Sequence, residues 1–406
     1  MKKNRFSTAV RPGLPTIRDI ARTAGVSPTT VSVVLNGRLR ELRISEETAE
    51  RVRQAAQKLN YRPHHSARSL RSGATRLIGL AVSWLQDPFY PEFCAAFGRA
   101  CRARGYGMFL TDLPDWVESE ADQGLGKSSV DGVVLVDTRR SPWHPGGKVT
   151  DPAASPVPTV MVAGEEWVAE WHLPFSDHVL LLQTEKAGRL AARHLCERGF
   201  RRFVYVPQGF PPQLTPGHRE FGFCDELHKL GVSADAIRVA PIVEPDRAVG
   251  HSIDDLPGYR SARALIQSDW WTSARPERVG FYAANDVAAV QVLRALHESQ
   301  IPVPGEAGVV GTNGTQLGQM VSPPLTSISL DVEAVAHEAV DRLLTFLQAG
   351  RDGRRSGSSD EGQGGPDRED PASARRHACQ LHGEGGSKTG KDAPRLEPRL
   401  LVRGST

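Results

Sequence analysis

A short polar array near the amino end carries side chains suited to reading base-pair edges. Thr29, Thr30, Ser32 and Asn36 offer hydroxyl and amide groups that donate or accept hydrogen bonds, and Val33 offers a small apolar surface of the kind that meets a thymine methyl. All of them follow Ser27-Pro28, a pair that starts a helix well: serine caps it, and proline fits the first turn, where no backbone donor is needed. No comparable array points to bond-breaking chemistry. The chain has no Gly-x-Ser-x-Gly elbow, no Walker-type phosphate loop and no His-Glu-x-x-His. His377, Cys379 and His382 lie close together, yet their spacing fits no standard zinc site. The expectation is a binding protein, with no catalytic residues, no metal and no cofactor.

The elements that must hold this array are legible on either side of it. Thr16 caps a first helix, Asp19 three residues on completes a capping-box-like pair, and Ile17, Ile20, Ala21 and Ala24 repeat at helical spacing. Gly25 ends that helix in the left-handed turn of a tight corner, and Val26 tucks into the corner's core. In the second helix Val31, Val34 and Leu35 face inward, which leaves Thr29, Thr30, Ser32, Val33 and Asn36 outward. Two short helices joined in this way form a helix-turn-helix, whose second helix lies in the DNA major groove with its first residues nearest the bases. An ordinary helical hairpin is the alternative. A third helix opens at Ser45, with Thr48 in its first turn, runs to about Asn60 with Ala49, Val52, Ala55, Ala56 and Leu59 on one face, and stops at Tyr61-Arg62-Pro63.

Charge favours the DNA reading over the hairpin. Residues 1–76 hold 16 of the 50 Lys+Arg and 5 of the 47 Asp+Glu, a net of +11, so the remaining 330 residues carry −8. A near-neutral total of +3 therefore hides a basic arm on an acidic body, suited to counterion release from a phosphate backbone. At 406 residues, 39% apolar and 6% aromatic, the chain is long enough for more than one core. No apolar run approaches the roughly 20 residues of a membrane span. The start, Met-Lys-Lys-Asn-Arg-Phe-Ser, does not read as a secretory leader, and the five cysteines include no Cys-x-x-Cys pair, so a cytoplasmic, nucleoid-associated protein with reduced thiols is expected.

From Thr75 the pattern changes to apolar runs alternating with helical stretches, the signature of parallel α/β units. Strands are predicted at Leu77 to Val82, Tyr106 to Leu110, Gly132 to Val136, Thr159 to Val162, Arg202 to Val206, 279 to 282 and Pro398 to Val402. Helices are predicted at Phe89 to Arg104, 184 to 199, 217 to 231, 258 to 268, 286 to 298 and Val332 to Ala349. Residues 351–395 are rich in charge, glycine and serine, and read as a disordered insertion.

Thr-Ile-Arg-Asp-Ile-Ala, Gly-Val-Ser-x-x-Thr-Val-Ser, Leu-Asn-Gly, Ile-Ser-Glu-Glu-Thr, Leu-Asn-Tyr-Arg-Pro and Ala-Arg-Ser-Leu together resemble the lactose/galactose-repressor (LacI/GalR) family. Further matches run through Asp87-Pro88-Phe89-Tyr90, Val130-Asp131-Gly132, Ala187-Gly188-Arg189, Arg219 with Gly222-Phe223, Ala284-Asn285-Asp286 and Pro323-Pro324-Leu325-Thr326. The resemblance implies an organisation: a basic tail at 1–15, a helix-turn-helix head at 16–63, a hinge at 64–74, and a two-lobed body like a periplasmic sugar-binding protein at 75–350 and 396–406. It implies hinge helices from two subunits that push Leu70, beside Ala67, into the minor groove at the operator centre. It also implies a homodimer, or a larger assembly, on a pseudo-palindromic operator, and a small-molecule effector between the lobes, contacted by Phe89, Arg219, Asn285, Asp286 and Asn313. A repressor is the reading. A solute-binding protein or a sugar-modifying enzyme on the same body is the alternative.

Four departures from the family pattern bear on specificity. Val33 stands where relatives commonly carry an arginine able to grip guanine, and the segment 37–44, with Arg38, Arg40 and Arg43, is about three residues longer than usual. The usual Gly-Phe-Asp-Asp is Gly311-Thr312-Asn313-Gly314, and the aspartate usual before the Ala-Gly helix is missing near Gln183 or Thr184. Loss of two acidic acceptors predicts a less negative cleft.

Overall fold

A computed structural model describes residues 15–35, 44–61, 74–82, 85, 87–112, 130–136, 157–165, 177–207, 216–243, 256–274, 277–356 and 396–406. These residues divide into two compact units, one within 1–75 and one within 76–406.

In the first unit, α1 (Ile17–Ala24), α2 (Pro28–Leu35) and α3 (Glu46–Lys58) enclose a small core of Ile20, Ala21, Val31, Val34, Ala49, Val52, Ala55 and Ala56. The start and stop signals act as the sequence predicts. The Asp19 carboxylate accepts from the Thr16 N–H (2.9 Å) and hydroxyl (2.7 Å), and Gly25 takes φ 68° to turn the corner. The Ser27 hydroxyl accepts from the Thr30 N–H (3.1 Å), and the Ser45 hydroxyl accepts from the Thr48 N–H (3.3 Å). With so few apolar side chains, these caps supply an appreciable share of the unit's stability, at about 1 kcal/mol each.

The second unit contains two sheets. β1 (Leu77–Val82), α4 (Phe89–Ala103), β2 (Gly107–Asp112), β3 (Gly132–Val136), β4 (Thr159–Gly164) and β5 (Val179–Leu182) build an all-parallel sheet in the order β2-β1-β3-β4-β5. The chain then crosses into α5 (Thr184–Glu197), β6 (Arg202–Val206), α6 (Arg219–Lys229), β7 (Ile237–Val239), α7 (Pro257–Ile266), α8 (Asp269–Ala274), β8 (Val279–Ala283), α9 (Asp286–Glu298), β9 (Ala307–Asn313), α10 (Leu317–Met320) and β10 (Thr326–Ser329). It returns to the first sheet as α11 (Val332–Ser356), which packs on α4, β3 and β4, and ends in the second sheet as β11 (Arg399–Leu401). The second sheet has the order β11-β10-β9-β8-β6-β7, with β11 antiparallel to β10 and the other pairs parallel. Because each lobe is assembled from separated stretches, neither is an independent segment of chain.

The near-continuous apolar strands follow from helices covering the sheets. α7, α8 and α9 cover one face of the second sheet through Tyr259, Ala262, Leu265, Trp271, Val292 and Leu296. One apolar cluster joins β1 and α4 of the first lobe to α5, β6 and α6 of the second through α11. The short apolar stretches Val179–Leu182 and Ile237–Val239, and the glycine-containing β9, are strands that sequence periodicity does not mark. Gly308 and Gly311 weaken the β signal of β9, yet both are required: an added Cβ would lie 2.2 Å from the Phe200 ring and 2.4 Å from the Asp286 carboxylate, respectively. The proposed insertion needs one correction, since α11 continues through residues 351–356. Seven residues past Ala349, three of them arginine, extend a helix that its packed amino-terminal part has already nucleated.

Candidate ligand cleft and nucleic-acid interface

In the head, α2 displays its first turn. Pro28 and Thr29 are exposed and Thr30 and Val33 are half-buried, while the Ser27 and Thr30 hydroxyls hydrogen-bond each other at 2.9 Å. Ser32 corrects the sequence reading: it is only 8% exposed, so it lies inside rather than on the outward face. At an eight-residue helix packed on two neighbours, the angle between inward and outward positions is too coarse for spacing alone to decide. On α3, the Thr48 hydroxyl accepts from Ser45 (3.0 Å) and Arg51 (3.2 Å), and Tyr61 packs against the head core. Asn36, Ala67 and Leu70, the segment 37–43 and the hinge from 64 to 73 lie outside the described residues, as do His377, Cys379 and His382.

In the body, parallel strands deliver their carboxyl ends to one rim of each sheet, the usual place for a ligand in such folds. β6, β8 and β9 bring Tyr205, Asn285 and Asn313 there, and α6 brings Arg219. Arg219 owes its position to two helices in backbone contact. An added Cβ on Gly188 would lie 2.0 Å from the Arg219 carbonyl oxygen, and one on Gly222 would lie 2.1 Å from that of Glu185. Around this contact Arg189 pairs with Glu185 (2.5 Å), Asp225 (2.5 Å) and Glu226 (3.3 Å), and Arg193 with Glu226 (2.6 Å). The Ala-Gly-Arg and Gly-Phe signatures are thus the two halves of one helix-helix joint. At its end, Arg219 donates through Nη1 to the carbonyl of Ala284.

Asn285 and Asp286 do different work. Asn285, 2% exposed, caps α9: its Oδ1 accepts from the Ala288 N–H (2.8 Å), and its Nδ2 donates to Asp87 Oδ2 (2.7 Å) across the two lobes. Asp286, 1% exposed, turns into the second lobe and accepts from the Thr315 N–H (2.6 Å), the Thr315 hydroxyl (2.8 Å) and the Ser327 hydroxyl (2.5 Å). Burial pushes its carboxyl up to about 6 against these three donors, and the charge of Asp87 adds to the rise. Asn313 ends β9 at φ 103°, and the following Gly314 N–H donates to Ser327 Oγ (3.1 Å). Phe89 is 5% exposed and sits in a row of aromatic rings with Tyr90 and Phe93.

Asp87 and Glu220 are polar groups of this region that sequence reasoning did not single out. Glu220 occupies the inward stripe of α6 one turn before Phe223, where an apolar residue is ordinary, and hydrogen-bonds the Tyr205 hydroxyl, with His218 Nδ1 at 3.8 Å. Burial, the first cause, and the charge of Glu220 hold that hydroxyl well above its usual range. Gln183 and Thr184, where the family's aspartate is missing, spend their side chains on the carbonyls of Leu396 (3.2 Å) and Gly217 (3.0 Å). Acidity that is missing from those positions is present at Asp87 and Glu220. A separate open pocket of about 600 Å³ lies outside this cluster, beside α5, lined by Glu165, Leu181, Lys186, Arg189, Arg193 and Pro216 among others. Among the described residues no group of three His, Cys, Asp or Glu is placed to hold a metal, and no helix is long and apolar enough to cross a membrane.

The arrangement, a helix-turn-helix preceding a two-lobed parallel α/β body, recurs in known proteins. Residues 16–64 match the bacterial regulatory proteins of the lacI family, and residues 192–359 match the periplasmic binding protein-like domain. The ribose operon repressor of Halalkalibacterium halodurans is 31% identical over 322 residues, 78% of this chain and 85% of that protein. The ribose operon repressor of Escherichia coli K12 is 29% identical over 335 residues (82% and 92%), and the repressor PurR of Mannheimia succiniciproducens 28% over 346 (84% and 94%). Among solved structures, the lac repressor dimer bound to operator and the anti-inducer ONPF shares the fold with a TM-score of 0.61 at 23% identity, covering 83% of this chain and 94% of that one. The chain belongs to the LacI family of bacterial regulatory proteins.

Proposed function

We propose that this chain is a transcription repressor that binds a pseudo-palindromic operator as a homodimer and changes its operator affinity when a small molecule occupies the cleft between its lobes. The capped α2, with Thr29 exposed and Thr30 and Val33 half-buried on a formed three-helix core, is the observation that carries the DNA half of this reading. Thr16, Ser27, Pro28, Thr29, Thr30, Val33, Ser45, Thr48 and Tyr61 of the described residues are assigned to that surface, Asn36, Ala67 and Leu70 complete it, and Ser32 supports it from inside. A valine at position 33 favours an apolar contact over a guanine grip, so the operator differs from those read through arginine.

Relatives named as a ribose operon repressor and as the transcriptional repressor PurR support repression as the mode of regulation. Phe89, Arg219, Asn285, Asp286 and Asn313 form the effector-responsive region, with Arg219 and Asn313 as direct contacts and Asp286 as buried support. The reading is of a ligand-gated switch rather than an enzyme, working in the cytoplasm on the nucleoid. A thermal-shift screen of sugars, nucleosides and small acids, followed by operator titration with each hit, tests it. The expected result is a compound that both raises the melting temperature and changes operator affinity at least fivefold. Hits that bind without moving operator affinity contradict the coupling.

A further inference from the structure

Asp87 and Asn285 are 198 positions apart in sequence and belong to different lobes, yet they share one buried hydrogen bond, Nδ2 to Oδ2, at 2.7 Å. Asp87 is 8% exposed and Asn285 2%. Each side chain also has a fixed end on its own lobe. The second carboxylate oxygen of Asp87 accepts from the Phe89 N–H (2.9 Å) at the start of α4, and Asn285 Oδ1 accepts from the Ala288 N–H (2.8 Å) at the start of α9. A second tie runs beside this one, from the Gln316 N–H to Glu92 Oε1 (2.8 Å), but Glu92 and Gln316 lie nearer solvent. A charge-assisted contact shielded from water is the stronger kind.

We propose that Asp87 is a positioning residue that latches the two lobes together through Asn285 in the ligand-free protein, and that an effector must displace or share this latch to reach the Asn285 amide. The proposal rests on the cleft being the effector site. Asn285 has one side-chain oxygen, which caps α9, and one NH₂ group, of whose two N–H donors one goes to Asp87. A ligand acceptor that takes the N–H now given to Asp87 competes with the opposite lobe, and one that takes the second N–H shares the amide with it, so occupancy and lobe contact are coupled.

Asn285→Asp isolates the latch, because an aspartate still offers α9 a capping oxygen while it places a second carboxylate against Asp87. Hydrogen exchange on the full-length, ligand-free chain reads the result. The amides at 87–93 and 284–290 are expected to exchange on the order of tenfold faster than in the wild type. The exchanged pair Asp87→Asn with Asn285→Asp restores a donor facing an acceptor, with their places reversed, and is expected to return both segments to wild-type protection. A merely local capping role would not be rescued from the other lobe. Unchanged exchange in Asn285→Asp, or an exchanged pair as unprotected as the single variant, overturns the latch. If Asn285→Asp does not fold, the exchanged pair decides alone, since it must fold and protect both segments. These measurements contain no ligand, so they stand apart from the effector reading, which is decided by the screen. A screen hit whose affinity is the same for the wild type and Asn285→Asp overturns the competition.

Discussion

Substituting Gly222 by alanine separates helix propensity from packing, because the two effects have opposite signs at this position. Alanine is the better helix former by up to about 1 kcal/mol, so α6 taken alone would gain. The added methyl would lie 2.1 Å from the Glu185 carbonyl oxygen and 2.9 Å from its carbon, both backbone atoms, whereas ordinary contact begins at 3.4 Å. Relief therefore requires α5 and α6 to part by roughly 1 Å, at the overpacking cost of about 1–3 kcal/mol, with weakening of the Arg189 contacts to Asp225 and Glu226 added. Packing wins, and a net loss of about 2 kcal/mol is expected in urea unfolding of the full chain. Arg219, three residues earlier on α6, shifts with the helix, so effector affinity falls as well. Gly98→Ala is the matched control. It lies inside α4, where the new methyl meets only the flexible end of Arg102 at 3.3 Å and Met108 at 3.8 Å, so it is expected to be neutral or to stabilise by up to about 1 kcal/mol. A Gly222→Ala variant as stable as wild type, or one indistinguishable from Gly98→Ala, refutes the claim that backbone contact fixes this joint.

Asp286 predicts a pH dependence. Its native carboxyl lies at about 6 against an ordinary 3.8, so the native state holds a proton that the unfolded chain has released; the contribution is complete below pH 3.8 and lost as pH rises through 6. The upper limit is about 3 kcal/mol, and Asp286→Asn, which cannot ionise, should gain on wild type by up to that amount between pH 4 and 6.5 and run parallel to it above. Urea titrations of both proteins across that range check this; parallel curves throughout contradict it. In the head, Ser27→Ala removes the acceptor for the Thr30 N–H and should cost about 1 kcal/mol, read as roughly fivefold faster exchange at Thr30 and weaker DNA binding. Equal protection at Thr30 would show that the cap contributes nothing.

Local chemistry made most of the fold readable. Helix starts at Thr16, Ser27 and Ser45 are announced by capping residues, and strands such as Gly132–Val136 and Arg202–Val206 by apolar runs between helical stretches. What escaped depends on partners distant in sequence. β9 carries glycines because Phe200 and Asp286 fill the space above them, and this hides its strand signal. Ser32 lies on the polar side of α2 by composition but is enclosed by the head's own packing. In the cleft, the family resemblance directed attention to Arg219, Asn285, Asp286 and Asn313, but not to how they are held. Asp87 stood in the sequence only as part of the Asp87-Pro88-Phe89-Tyr90 match and Glu220 carried no signal, and only the folded chain brings Asp87 to Asn285 and Glu220 to Tyr205. Asp87 and Glu220 also place two carboxylates in the region where those near Gln183 and at Asn313 are absent.

Sequence-specific operator recognition by two copies of the head is decided by selection of bound duplexes from a random pool by the full-length chain at a fixed, near-physiological salt concentration. The expected result is enrichment of an inverted repeat of two half-sites, bound on the order of 1,000-fold or more above bulk DNA, with Val33→Arg shifting the preferred base at one symmetric position toward guanine. A pool that remains random, with binding that depends on salt but not on sequence, would contradict it.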